Sequence, residues 1–355
     1  MSLKIHFLNV GHGDCTIVEH PSGRLTMIDI NNGSDLDDKT VAELEEAAKA
    51  EYDTYKLNQD IRSILGQSLP GERTKTLREF ALKAYNIELT NPVEYYTSKF
   101  SQWTGPKPLF RFVATHPDLD HLTGLQCLKP AGVGIENFWD TDNNKVVTSF
   151  KSDAEKAAWA SYQSYRAGNE GAKVLNLFRG AEGVYYNQDD QGGGGDGIVV
   201  LAPTPALRDS ANQQQCWNLH SYVLALKYAG RLVILGGDAD LEAWEDIHNL
   251  YGENLKCDVL KASHHGRDSG YYQPAVKAMS PEYTIVSVGK KPETDASNKY
   301  RQYSDNVLST RWCGNIVVTI SPWGEITVDK EYDRSKQAAF ALASILGQPQ
   351  GVYGR

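Results

Sequence analysis

Apolar and polar residues alternate with period two near both ends of this chain, and a helical period separates the two regions. Ile5-His6-Phe7-Leu8, Cys15-Thr16-Ile17-Val18-Glu19 and Leu25-Thr26-Met27-Ile28-Asp29-Ile30 read as strands. The turn-forming Gly11-His12-Gly13-Asp14 and His20-Pro21-Ser22-Gly23 separate them and predict an antiparallel meander. The pattern changes after residue 35. Thr40 to Tyr52 is rich in Ala and Glu, Asp60 to Leu65 reads as a further short helix, and Thr74 to Asn86 sets Leu77, Phe80, Ala81, Ala84 and Tyr85 at helical spacing. Residues 35–105 therefore read as a helical insertion, ahead of a strand beginning near Leu109. From Gly197 the rhythm is strand and loop again. Strands are expected at Ile198 to Ala202, Ser221 to Tyr228, Arg231 to Leu235, Val259 to Lys261, Thr284 to Val288, Ile316 to Ile320 and Gly324 to Val328. A helix carrying Leu241, Trp244, Ile247 and Leu250 falls between the third and fourth. Further helices are expected from Leu122, from Ser152 to Arg166 and from Ser335 to Leu346. The run Gly192 to Gly195, within 185–197, reads as a flexible loop; without a lysine or a following helix it is not a phosphate-binding loop. Residues 1–355 read as one domain with no repeat.

At 355 residues and 39.3 kDa the chain can bury a large core. Its net charge of -9 argues against duplex nucleic acid binding driven by the whole surface, but leaves room for a local basic patch. Cys15, Cys127, Cys216, Cys257 and Cys313 are scattered and odd in number, which fits reduced thiols in the cytoplasm better than a disulfide framework. The alternating start does not read as a secretion signal, and no apolar stretch approaches a membrane span.

The chemistry sits at strand exits. Thr115-His116-Pro117-Asp118-Leu119-Asp120-His121 follows the apolar run Leu109 to Ala114 and gathers four metal-capable side chains. Gly236-Gly237-Asp238 follows Leu232 to Leu235, and His264-His265-Gly266 follows Val259 to Ser263. Imidazole and carboxylate suit zinc, manganese or iron. A helix-capping turn would explain Asp120, but would leave His116, Asp118 and His121 without a use. Asp238, behind two glycines, can approach two cations through both oxygens. Adjacent histidines diverge, so one of the pair is expected to bind metal while the other meets substrate: His264 as ligand, His265 as catalytic pocket residue.

In order and spacing these segments resemble the metallo-β-lactamase superfamily, and within it the hydrolase domain of the DNA-uptake channel proteins of competent bacteria. The resemblance rests on Val10-Gly11-His12-Gly13-Asp14, Ile28-Asp29, His116 to His121, Asn218 with Ser221, Gly237-Asp238, Lys261 to Gly266 and Ile285 to Gly289. It covers roughly residues 3–330 outside the insertions. It implies an α/β fold, a four-layer α-β-β-α metallo-β-lactamase sandwich with helical insertions and a centre for two divalent metal ions at one edge. His116 and Asp118 would serve one ion, Asp120, His121 and His264 the other, with Asp238 between them. Asp118 stands where the superfamily usually has histidine, a harder site that makes manganese plausible beside zinc. His220 either supplies the remaining ligand, or leaves that place to Asn218 or water. His12 replaces the glutamine usual in this branch and could reach the pocket.

The expected activity is metal-dependent hydrolysis, with Asp120, Asp238 and His265 as the catalytic set and a water between the cations acidified to hydroxide. A phosphodiesterase or nuclease is the first reading. A hydrolase of a carboxylic ester, lactone, lactam or thioester on the same dinuclear site is the second, and a noncatalytic binding or scaffold protein the third. Expected substrate contacts are His12, Asn218, Lys261 and Arg267, with Lys290 or Lys291 as further cations. The expected substrate is a phosphodiester or small molecule, nucleic acid included, and no membrane is expected to be involved. A homodimer or a multicomponent-system partner would use the helical insertion. Trp103, Trp139, Trp159 and Trp323 either line a cleft or fill the core.

Overall fold

The computed structural model describes residues 1–32, 38–66, 76–85, 88–187, 195–289 and 295–332. The expected helix from Ser335 to Leu346, most of the glycine-rich loop, and Lys290 with Lys291 lie outside the described residues.

Strands β1 (Leu3–Phe7), β2 (Thr16–Glu19) and β3 (Leu25–Ile28) open the chain. A small ribbon, β4 (Ser101–Gln102) with β5 (Gly105–Pro106), precedes β6 (Leu109–Val113), β7 (Ile135–Asp140) and β8 (Lys173–Asn176). The second half contributes β9 (Ile198–Ala202), β10 (Val223–Tyr228), β11 (Arg231–Leu235), β12 (Val259–Lys261), β13 (Tyr283–Val286), β14 (Asn306–Ser309), β15 (Ile316–Ile320) and β16 (Ile326–Lys330). They assemble into an eight-stranded sheet, ordered β16-β15-β1-β2-β3-β6-β7-β8, and a six-stranded sheet, ordered β14-β13-β12-β11-β10-β9. The meander β1-β2-β3 is antiparallel, whereas β3-β6-β7-β8 and β11-β12-β13-β14 run parallel.

Strand periodicity builds the layers. Leu3, Ile5 and Phe7 of β1 and Ile316, Val318 and Ile320 of β15 meet Leu224, Leu226, Val233, Leu235, Val259 and Ile285 of the other sheet in one shared core. The intervening residues Ala225, Ile234, Leu260 and Val286 face the opposite way, as period two requires. They pack under helices α6 (Pro205–Gln214), α7 (Leu241–Tyr251) and α8 (Gln273–Met279). The eight-stranded sheet is covered in the same way by α3 (Pro92–Lys99), α4 (Leu125–Leu128) and α5 (Asp153–Arg166). The result is the expected four-layer α-β-β-α sandwich. In α5, Ser152 caps the first turn by accepting from the Glu155 N–H, and Ala158, Trp159, Tyr162 and Tyr165 form the buried face.

Two expectations are corrected, and three strands were not expected. Asp60 to Leu65 is not a separate helix but the end of α1 (Asp38–Ile64), which packs on α2 (Leu77–Tyr85) around Leu44, Ala48, Tyr52, Tyr55 and Phe80. The four tryptophans line no common cleft: Trp139 and Trp159 are core, and Trp103 and Trp323 are exposed. Strands β7, β8 and β14 escaped the pattern, because polar residues such as Glu136, Asn137 and Asn306 interrupt them. No helix among the described residues is long and apolar enough to cross a membrane.

Candidate metal centre

The parallel strands determine where the site lies. Asp29 follows β3, Thr115 and His116 follow β6, Asp238 follows β11, His265 follows β12 and Ser287 follows β13. All stand at carboxyl ends of parallel strands, where chain reversals leave a crevice. Tyr222 N donates to Thr115 O at 3.0 Å, tying the two sheets together at this edge.

Asp29 organises two of the histidines. Its carboxylate accepts from Thr115 N at 2.8 Å, from Thr115 Oγ1 at 2.7 Å and from His121 Nδ1 at 2.8 Å. Thr115 gives its one hydroxyl proton to Asp29, so its lone pair faces His116 Nδ1 at 3.1 Å and accepts from it. His265 Nδ1 donates to Ser287 O at 3.0 Å. Each of these buried rings thereby carries its proton on Nδ1 and turns a bare Nε2 inward. Those three Nε2 atoms, with Asp238 Oδ1, are buried without a hydrogen-bond partner.

They converge on Asp238. Its Oδ2 lies 3.3 Å from His121 Nε2, 3.4 Å from His265 Nε2 and 3.8 Å from His116 Nε2. His265 Nε2 is also 3.4 Å from Asp120 Oδ2, and His116 Nε2 is 3.7 Å from Asp118 Oδ2. Ligand atoms of Asp14, His121, Asp238 and His265 all lie within 4.8 Å of one another, and so do those of His12, Asp120 and His265. Buried polar atoms left bare are costly unless something binds them. Imidazole nitrogens and carboxylates around one point fit divalent metal ions.

Backbone geometry makes the convergence possible. Gly237 adopts a left-handed φ of 51°, and a Cβ there would lie 2.9 Å from Tyr222 O. A side chain there would need both this conformation and a shift of the Tyr222 carbonyl, so glycine suits the approach to Asp238. His264 and His265 are both left-handed, at φ 50° and 53°, a costly choice for residues with a Cβ. That turn sends His265 into the cluster and His264 to its mouth.

The placements differ from expectation for the histidine pair. His265, expected in the pocket, stands among the ligand atoms; His264, expected as ligand, faces Ser269 Oγ at 2.7 Å, Asn218 Nδ2 at 3.4 Å and Arg267 Nη1 at 3.4 Å. His220 belongs to neither ligand group; its Nε2 meets Asn212 Oδ1 at 3.1 Å while its Nδ1 is buried without a partner. Burial, reinforced by the charge of His116, lowers its pKa to about 4. Asp118 is paired with Lys145. Lys261 is buried, its Nζ 2.5 Å from Asp14 Oδ2. Arg267 and His12 meet at the mouth, Nη2 to Nε2, at 3.1 Å.

The cluster is strongly polarised. Burial alone would raise the Asp238 carboxyl, but His265, His121 and His116 hold it well below the ordinary carboxylate range. Burial is likewise outweighed at Asp120 by His121 and His265, and at Asp118 by His116 and Lys145, so both are lowered. Burial would lower His121 and His265, yet Asp238 above all raises both. Lys261 is raised in the same way, against burial, by Asp14 and Asp238, and stays charged inside the protein. Roles for Asp14, Asp29, Thr115, Ser287 and Lys145 were not foreseen. Asp29 carried the usable signal, an aspartate directly after a strand, like Asp238.

No family model matches the chain. It is 31% identical over 113 residues to the competence protein ComA of Neisseria gonorrhoeae, and 29% identical over 120 residues to the ComE operon protein 3 of Bacillus subtilis (strain 168). These matches cover 30% and 32% of this chain but only 16% and 14% of those proteins, so the chain spans a small part of the relatives it matches. Among solved structures it is similar to CmlA, a diiron beta-hydroxylase from Streptomyces venezuelae, at 9% identity and a TM-score of 0.42, covering 90% of this chain and 53% of that one. The E377D mutant of the same hydroxylase gives 10% identity, a TM-score of 0.41, and coverage of 89% and 53%. Both likenesses are too distant to speak for metal or reaction.

Proposed function

We propose that this protein is a metal-dependent hydrolase of phosphodiesters, holding two divalent ions, zinc or manganese, around Asp238. The observation that carries the reading is the set of bare Nε2 atoms of His116, His121 and His265, fixed by bonds at their Nδ1 atoms and aimed at one carboxylate. His116 and Asp118 would hold one ion and Asp120, His121 and His265 the other, with Asp238 shared. Such ions, when bound, would supply acidity to a water and charge stabilisation to the substrate oxygen. The chain's own part is to fix ring tautomers through Asp29, Thr115 and Ser287, and to close the floor with the Lys261–Asp14 pair. The resemblance of the motifs from Val10 to Gly289 to the hydrolase domain of DNA-uptake channel proteins supports a substrate related to nucleic acid.

Metal content after purification, followed by rates on bis-p-nitrophenyl phosphate, single-stranded DNA, RNA and a simple lactone, tests the proposal. Retained divalent metal with phosphodiester cleavage is the expected outcome. Lactone turnover without phosphodiester cleavage would move the function to carbonyl substrates, and a protein that retains no metal would leave the fold without this chemistry.

A further inference from the structure

Three cations approach the cluster, and they are used differently. Lys145 is paired with Asp118 and Lys261 with Asp14. Arg267 has no carboxylate partner among the described residues. Its Nη1 faces His264 Nε2 at 3.4 Å, its Nη2 faces His12 Nε2 at 3.1 Å, and its Nε is buried without a hydrogen-bond partner. A guanidinium cannot shed its proton, so this half-buried group is a fixed positive charge whose side-chain contacts are two imidazoles rather than a carboxylate. It is also one ring away from the cluster, because the ligand atoms of His12, Asp120 and His265 lie within 4.8 Å of one another and the His12 and His265 rings are 4.8 Å apart.

We propose that Arg267 is the residue that selects anionic substrates, its planar fork gripping the non-bridging oxygens of a phosphodiester at the mouth, with His12 as the residue that positions it. This deepens the hydrolase reading and rests on it. The chemistry discriminates sharply. Phosphate oxygens offer two acceptors in the geometry of the fork and bring the missing counter-charge, whereas an uncharged ester or lactone brings neither. The two imidazoles hold the guanidinium without neutralising it, so an incoming anion displaces only weak neutral contacts. Lysine in its place would keep the charge but lose the fork.

The test compares two substrates with the same leaving group, anionic bis-p-nitrophenyl phosphate and uncharged diethyl p-nitrophenyl phosphate. In Arg267→Ala the ratio of kcat/KM values, anion over neutral, is expected to fall roughly 30-fold, mainly through KM for the anion. Arg267→Gln, polar but uncharged, should follow the alanine variant, and Arg267→Lys should recover part of the ratio. His12→Ala should lower the ratio by a smaller factor and His12→Gln restore it. Equal losses on both substrates, or none on either, would overturn the assignment. If the wild type cleaves neither substrate the hydrolase reading fails, and Arg267 is then judged by calorimetry of inorganic phosphate with manganese present. Weaker binding in Arg267→Ala by a similar factor supports the role, and equal affinity refutes it.

Discussion

The floor of the site and its mouth are built from neighbouring residues but obey opposite rules. On the floor, His116, His121 and His265 are buried and each Nδ1 is committed to a single acceptor. At the mouth, the His264 ring is half-buried and touches Ser269, Asn218 and Arg267. His264 and His265 are themselves consecutive left-handed residues, so one step along the chain crosses from one regime to the other. Rigidity on the floor suits a metal, which needs a fixed set of lone pairs; a looser rim suits a substrate that must enter and leave.

Removing the shared carboxylate should break this contrast most severely. Asp238→Asn is expected to lower activity by roughly two to three orders of magnitude and to deplete bound metal, read by metal analysis beside the rate on bis-p-nitrophenyl phosphate. His265→Ala should approach that loss while His264→Ala retains its metal; equal metal content in the two would erase the distinction between floor and mouth. Asp29→Asn touches no ion in this scheme but disturbs two ring tautomers, so a 10- to 100-fold loss of metal affinity is expected by order of magnitude, measured by chelator competition.

Acidity sharpens the same comparison. With no metal bound, the raised His121 and His265 contribute stability that is complete below the free imidazole value of about 6.5 and is lost as pH rises through their raised values. A cation needs those rings neutral. Metal affinity should therefore climb with pH across that window, with protons released into weakly buffered solution, while the chelated protein loses stability over the same rise. A flat affinity profile would remove these two rings from the ligand set. The smallest effect is expected at Ser263, whose hydroxyl lies 2.9 Å from Trp244 Nε1 and 3.1 Å from Gly236 O. Ser263→Ala should cost about 1 kcal/mol in chemical denaturation and keep metal binding.

The contrast between Asp238 and His264 also shows how far the chain can be read before it folds. Apolar runs in β10, β11 and β15 and the alternating start at β1 announced the sheets, because a strand between two layers must be apolar on the faces it buries. Polar-interrupted strands such as β7 and β8 carried no such signal, since their pairing supplies what their composition lacks. Clusters of Asp and His directly after strands announced a metal edge, because those side chains have few other uses crowded together. Which of two adjacent histidines turns inward was beyond any local pattern: it depends on a left-handed turn and on an acceptor, Ser287 O, that the fold brings from another strand. The same holds for Asp29, linked to His121 across 92 positions of sequence, and for Lys261, linked to Asp14 across 247. Residue chemistry and spacing thus determined the kind of site, whereas only the closure of two sheets determined its members, since a hydrogen bond between distant strands exists only once both are in place.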